Sequence, residues 1–183
     1  NPQLLSALPG KTAEDIERVT GIQARRRIIP GETVLSLATD AAKQALEEAN
    51  TALTDIDMIV VSSGTPDRIT PSLACRLLFA LGGAKIECQA HDISAACSGY
   101  LYGLQTAWDY LQTHPEGRVL MVTSEVLSPL VDSHDFNTAI IFGDAATATV
   151  LQGANHTSGN KLTLRRPVIS AQGEPGQHLT VPV

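Results

Sequence analysis

No stretch of the 183 residues reaches the roughly 18 consecutive apolar positions that a membrane-spanning helix needs, which argues against a helical span. The opening residues carry no basic segment followed by an apolar core, so they do not read as a signal peptide. Cysteine is scarce: Cys75, Cys88 and Cys97 are the only three. An odd count at these spacings fits neither a zinc site nor a CxxC redox pair. Free thiols in a reducing cytoplasm are the natural expectation, with no metal and no cofactor. Basic residues are outnumbered, 13 Lys and Arg against 19 Asp and Glu, and form no tail. The resulting charge of -6 gives no sign of a nucleic-acid partner. The densest basic cluster, Arg25-Arg26-Arg27, reads first as a solvated or locally paired turn and second as a contact for an anionic ligand. There is no short-period repeat and no low-complexity segment, which excludes a solenoid or a disordered chain.

What remains is an ordinary globular composition, 43% hydrophobic and 17% charged, long enough to bury a core. Residues 1–183 are read as one domain. Asn1-Pro2-Gln3 is not a translation start, and residues 173–183 have the texture of a loop entering another element. The domain is therefore expected to be incomplete at both ends.

Helix and strand periodicities alternate along the chain. A short helix is expected over 12–19, where Thr12 can cap and Glu14 and Asp15 suit the positive helix end. A longer one is expected over 33–50, with Leu37, Ala41, Ala45 and Ala49 as its stripe and Val34, Ala38 and Leu46 widening it. Residues 56–62 are a buried strand signal. A helix should follow over 71–81, closed by Gly82-Gly83. Strands are expected over 86–93 and 119–124, with a helix over 97–112 between them. Residues 139–142 and 145–151 read as strands around a Gly-Asp turn, and 162–170 as a last strand. Short connections between strands and helices argue for an α/β architecture with a mostly parallel sheet. The final strands, with no helix expected between them, could be antiparallel.

The chemistry concentrates in His91-Asp92-Ile93-Ser94-Ala95-Ala96-Cys97-Ser98-Gly99-Tyr100. A strand ends, small residues turn the chain sharply, and a helix starts at a cysteine. A thiol at a helix N-terminus faces unpaired backbone N–H groups and the positive end of the dipole, which favour the reactive thiolate. The same N–H groups can hold an oxyanion formed on a thioester. Gly99 and Gly103 leave one helix face bare, so another backbone can pack closely on it. The blander reading makes Cys97 a small buried residue in a tight turn. Trp108, in mid-helix, reads as core. His91, on the strand before Cys97, reads as structural or solvated ahead of any catalytic role.

Ser94-Ala95-Ala96-Cys97-Ser98-Gly99 resembles the active-site signature of the β-ketoacyl-acyl carrier protein synthase III family. Thr20-Gly21-Ile22 followed by arginines, Pro71-Ser72 with Ala74-Cys75, and Ile140-Ile141-Phe142-Gly143-Asp144-Ala145-Ala146 resemble further family segments in the right order. The resemblance implies a thiolase-like fold, of which this chain is the N-terminal half of a five-layered αβαβα sandwich. It implies a homodimer that takes acyl thioesters and acyl carrier protein as partners. Cys97 becomes the nucleophile, its backbone N–H part of the oxyanion hole. The family's catalytic His and Asn belong to the other half and match no residue here.

Three departures from the family pattern bear on the donor. Asp15 stands at or near the position of a Trp that stacks on coenzyme A, Arg18 lies one place off an expected arginine, and Phe136 stands where another arginine is usual. Weaker coenzyme A recognition is expected, hence a carrier-protein donor or a different binding mode. Thr70 stands where a Phe reaches the partner's acyl pocket, so it either enlarges that substrate pocket or simply caps the next helix. Phe142 is a second candidate for substrate contact, and Gly143 and Asp144 are expected to form a structural turn in which the carboxylate accepts backbone N–H bonds. The resemblance implies a decarboxylative Claisen condensation. Two other readings stay open: a synthase III-like acyltransferase of specialised metabolism, and a non-catalytic partner subunit of the same fold.

Overall fold

The computed structural model describes residues 2–156 and 162–173, and they fall into two compact units. The second unit, Gly31–Glu125 with Ala146–Ile169, holds the sheet apart from Val126, Asp144 and Ala145. Its strands are β1 (Met58–Ser62), β2 (Gln89–Ile93), β3 (Arg118–Val126) and β4 (Asp144–Gln152), in the order β2-β1-β3-β4. β1 runs parallel to both neighbours, Met58 lying opposite Gln89 on one side and Val119 on the other. Every residue of β1 is buried. That is why it reads as an unbroken apolar run: a central parallel strand is covered on both faces.

Side chains alternate between the two faces. Met58, Val60, Val119 and Met121 pack with Ala107 and Leu111 of α5 (Gly99–Thr113). The other face carries Ser124, whose hydroxyl donates to the Val34 carbonyl at 2.7 Å and so meets the start of α3 (Val34–Glu48). α4 (Leu73–Ala80) packs against α3, β1 and β2. Helix caps fix the ends of these elements. Thr33 and Ser36 form a reciprocal capping box on α3. α4 closes in a Schellman arrangement: Gly82 takes φ +93°, its N–H donates to Phe79, and the Gly83 N–H donates to Leu78 at 2.9 Å.

The first unit gathers the described residues within Asn1–Pro30, Val126–Ala145 and Ser170–Val183. It contains α1 (Pro2–Ser6), α2 (Ala13–Thr20) and the four-residue α6 (Phe136–Ala139). Its small core joins Leu4, Leu8, Ile16, Ala139 and Ile140. A capping box between Thr12 and Asp15 starts α2, and Gly21 at φ +70° ends it.

Several expectations need correction. Residues 139–142 are not a strand. Asp135 caps α6 by accepting from the Asn137 N–H and the Thr138 hydroxyl, and the Ile141 N–H turns back to Thr138. A short apolar run does not by itself separate helix from strand, and the cap decides it. Residues 162–170 hold no regular structure, with Leu162 and Val168 almost fully exposed. A strand needs a paired neighbour, and none of the described strands pairs with this segment. On α3 the buried row is Val34, Ala38, Thr39, Ala42 and Leu46, while Leu37, Ala41, Ala45 and Ala49 form its half-buried flank. Trp108 is half-buried rather than core. The buried row of α5 is Gly99, Gly103, Ala107 and Leu111, one residue round from it, and the Arg166 guanidinium lies 6.0 Å over the indole. β2 begins at Gln89, later than expected.

Candidate active site

Cys97 sits in the connection from β2 to α5. β2 ends at Ile93, Ser94 and Ala95 bend away, and a 3-10 turn over Ala96–Ser98 delivers the chain into α5 at Gly99. The helix therefore starts two residues after the cysteine rather than at it. Ala96 takes φ +43°, a left-handed conformation that non-glycine residues seldom adopt. The turn points the Cys97 side chain outward, and its thiol is exposed. The Ser98 N–H donates to Ala95 and the Gly99 N–H to Ala96. The Cys97 N–H makes no hydrogen bond to a described residue, so it is available to a developing oxyanion.

The position within the sheet has a physical logic. From β1 the chain moves to one side for β2, then crosses over β1 on α5 to reach β3 on the other side. Ligands of open parallel sheets gather beyond the carboxyl ends of the strands at such a reversal. α5 reaches that edge because its glycines allow it. A β-carbon on Gly99 would fall 1.8 Å from the Ser62 hydroxyl oxygen at the end of β1, and one on Gly103 would fall 2.2 Å from the Met121 sulfur. The bare helix face is thus filled by sheet side chains.

The loops at the same edge are held by carboxylates that sequence reasoning passed over. Asp92 accepts from the Leu73 and Ala74 N–H groups, each at 2.7 Å, and so ties β2 to the start of α4. Glu125 accepts from the Gly64 N–H and the Thr65 hydroxyl, each at 2.8 Å. Their only sequence signal is an acidic residue near the carboxyl end of a strand. Thr70 is exposed in the loop before α4, and its peptide bond to Pro71 is cis. It does not cap the helix; Ser72 does, accepting from the Cys75 N–H. His91 lies on β2 opposite Val60, half-buried, and no hydrogen bond joins it to Cys97.

Phe142, Gly143 and Asp144 belong to the first unit. Phe142 is half-buried, and its N–H reaches the Thr138 carbonyl at 3.4 Å. Asp144 is buried, only 6% exposed. Its carboxylate accepts from the Ile28 N–H at 2.8 Å, the Ser128 N–H at 2.8 Å and the Ser128 hydroxyl at 2.6 Å. Burial alone would push this carboxyl up. The Ser128 hydroxyl, with the N–H groups of Ser128, Ile28 and Leu127, outweighs that and holds it below the usual carboxylate value. The Asp144 N–H donates back to the Arg26 carbonyl at 2.9 Å. A β-carbon on Gly143 would press on that carbonyl at 3.0 Å, so glycine lets the two segments lie together. Within the Arg25-Arg26-Arg27 cluster, the Arg25 guanidinium donates to nearby Thr20 and to the Ile140 carbonyl, far along the chain, so it is tied down by the fold and not only by its own turn.

Asp15 and Arg18 also pair locally. Arg18 donates to Asp15 at 3.0 Å, and the Thr12 N–H and hydroxyl complete the carboxylate's partners. The Thr12 N–H first, and then Arg18, hold the Asp15 carboxyl below its ordinary value. Phe136 is half-buried beneath the Lys11 ammonium, 4.5 Å from the ring centre. Among the described residues no helix is long and apolar enough to cross a membrane, and no group of three or more His, Cys, Asp or Glu could hold a metal ion.

The family described as 3-oxoacyl-[acyl-carrier-protein (ACP)] synthase III matches residues 91–165, the span that contains Cys97 and the Phe142–Asp144 turn. A β-ketoacyl-[acyl-carrier-protein] synthase III of Clostridium botulinum (strain Okra / Type B1) is 38% identical over 176 residues, covering 96% of this chain and 52% of that protein. One from Alkalilimnicola ehrlichii is 42% identical over 147 residues, covering 80% and 45%. Among solved structures, the priming β-ketosynthase of the R1128 polyketide pathway superimposes with a TM-score of 0.76 at 33% identity, over 82% of this chain and 44% of that one. The chain thus spans about half the length of the curated relatives it matches. With its thiolase-like α/β fold and identity of this level along nearly its whole length, the chain belongs to the β-ketoacyl-acyl carrier protein synthase III family.

Proposed function

We propose that this chain supplies the acyl-accepting nucleophile of a condensing enzyme. The Cys97 thiolate attacks the carbonyl of an acyl thioester, and the carrier thiol leaves with a proton. A malonyl-acyl carrier protein then loses carbon dioxide, its carbanion attacks the acyl-enzyme carbonyl, and Cys97 departs as the thiolate. The product is a β-ketoacyl-acyl carrier protein two carbons longer. Splitting one difficult transfer into two steps is the advantage of covalent catalysis. The single observation that carries this reading is the exposed Cys97 thiol on a left-handed turn at the carboxyl edge of the sheet, its own N–H unbonded among the described residues. The His and Asn that the family uses for decarboxylation are assigned to no residue of this chain.

The donor is proposed to be an acyl-carrier protein. Asp15 and Arg18 close on each other and on Thr12, and Phe136 lies half-buried under Lys11. Asp15 partly neutralises Arg18, and it puts a carboxylate where the family has a ring to stack on the coenzyme A adenine. The enzyme is further proposed to act as a homodimer in the reducing cytoplasm, where three free thiols persist, with no cofactor beyond its thioester substrates. The same donor-side departures favour one alternative, in which the acyl group passes from Cys97 to an alcohol or amine.

Intact-mass measurement on the full chain tests the reading. Incubation with acyl-carrier protein should add one acyl group, absent in Cys97→Ser, and should outpace incubation with the matching acyl-coenzyme A. Absence of any adduct with either donor on folded protein would point instead to a non-catalytic subunit.

A further inference from the structure

The turn that carries Cys97 is gripped on both sides by one short segment. Before the turn, the Ile93 carbonyl at the end of β2 accepts from the Ser63 N–H at 3.2 Å. After it, Gly99 sits directly against the Ser62 side chain. Ser62 and Ser63 are buried, at 3% and 7% exposure, so neither can move without disturbing the sheet edge. The next two residues of this segment, Gly64 and Thr65, are anchored by Glu125. One carboxylate oxygen takes the Gly64 N–H and the other takes the Thr65 hydroxyl. Thr65 also donates its N–H to the Ser63 hydroxyl at 3.1 Å, which closes the segment on itself.

We propose that Glu125 is a positioning residue for the nucleophile. It acts through Gly64-Thr65 and Ser62-Ser63 on the Ser94–Ser98 turn, and touches neither substrate nor Cys97. Two properties suit it to the task. It stands at the end of β3, the neighbour of β1, so its backbone belongs to the rigid sheet and not to a loop. It also offers two acceptors to two donors on adjacent residues, which fixes the direction of the segment as well as its distance. Displacement of a reacting atom by about 1 Å can lower a rate ~100-fold, so an anchor two links away has a measurable effect.

The inference rests on Cys97 being the acyl acceptor, and the experiment separates the two. Full-chain wild type, Glu125→Ala, Glu125→Gln and Thr65→Val are compared for the rate of Cys97 acylation by acyl-carrier protein across donor concentrations. Alkylation of Cys97 by iodoacetamide is followed in parallel. Glu125→Ala should lower the saturating acylation rate by about 10- to 100-fold, with the half-saturating donor concentration and the alkylation rate within about 3-fold of wild type. Glu125→Gln keeps a carbonyl for the Gly64 N–H and an amide that can donate to the Thr65 oxygen, so it should restore most of the rate. Thr65→Val, which removes one bond and leaves Glu125 in place, should fall between. Wild-type acylation with an unchanged Glu125→Ala rate overturns the positioning role alone. So does a loss that only tracks the unfolded fraction, or one that appears only in half-saturation. Failure of wild type itself to acylate overturns the nucleophile reading, and this inference with it.

Discussion

Gly99 and Ser62 are in such close contact that a single added carbon cannot be accommodated between them. A β-carbon on Gly99 would lie 1.8 Å from the Ser62 hydroxyl oxygen and 3.0 Å from its Cβ. Ser62 is buried on a central strand, so the strand cannot yield and the start of α5 must. Gly99→Ala should destabilise the protein by about 2 kcal/mol or more, in the range of overpacking changes. It should also slow acylation of Cys97, two residues away. Ser62→Gly in the same chain removes the obstructing atoms and should recover part of both losses. Urea midpoints for the single and double variants check this; equal midpoints for wild type and Gly99→Ala would contradict it. Gly103→Ala meets the buried but flexible Met121 side chain and should cost less.

Asp144 gives a pH dependence with a definite sign. Its folded-state carboxyl is held below the ordinary value of 3.8. The stability it contributes is therefore present in full above that value and is lost as the pH falls through the folded-state value. Asp144→Asn places an amide donor among the donors of Ile28 and Ser128, and a cost of about 3 kcal/mol is expected near neutral pH. The difference in unfolding free energy between wild type and Asp144→Asn should shrink as the pH is lowered below 3.8. A gap that stays constant from pH 7 to pH 2 would show that the carboxylate charge contributes nothing there.

The elements legible in the sequence are those whose local pattern and tertiary environment agree. Met58–Val61 of β1 and Val119–Val122 of β3 are unbroken apolar runs because both stretches are fully buried. The turn at Cys97 is legible from small residues between a strand and a helix. Its left-handed Ala96 is not, because alanine carries no signal for that conformation. Residues 139–142 read as a strand from their apolar run, but the Asp135 cap decides the outcome and starts a helix at Phe136. Residues 162–170 alternate like a strand except at Arg165-Arg166, and no described strand pairs with them. The roles of Asp92 and Glu125 are illegible for a different reason. Their partners are mostly backbone N–H groups far along the chain, and a sequence does not mark which N–H groups a fold will bring to a carboxylate.

The three cysteines should react in a definable order. Cys75 and Cys97 are exposed, whereas Cys88 is half-buried. Burial first, and then the nearby Asp57 carboxylate, raise the Cys88 thiol above its ordinary value, despite a backbone hydrogen bond that lowers it. At pH 8 iodoacetamide should label Cys97 and Cys75 before Cys88, as read by peptide mass mapping. Cys88 labelling should climb over a higher pH window, since only the thiolate reacts. Labelling of Cys88 ahead of the other two would mean that the β2 edge opens in solution.

Asp92 joins the sheet to α4, and its two bonds differ from an ordinary cap. The usual capping side chain lies just before the helix, and Ser72 fills that role toward Cys75. Asp92 comes from a separate strand and takes the first two N–H groups, Leu73 and Ala74, at the positive end of the helix. Asp92→Ala leaves both donors without an acceptor, and loss of about 1–2 kcal/mol is expected, the scale of a lost cap. Asp92→Asn keeps one acceptor and should lose less. Because Asp92 precedes the last residue of β2, loosening α4 also loosens the strand end from which the Cys97 turn departs. Hydrogen exchange of the α4 amides should rise in Asp92→Ala. If it stays at the wild-type level while stability falls, the carboxylate supports β2 alone.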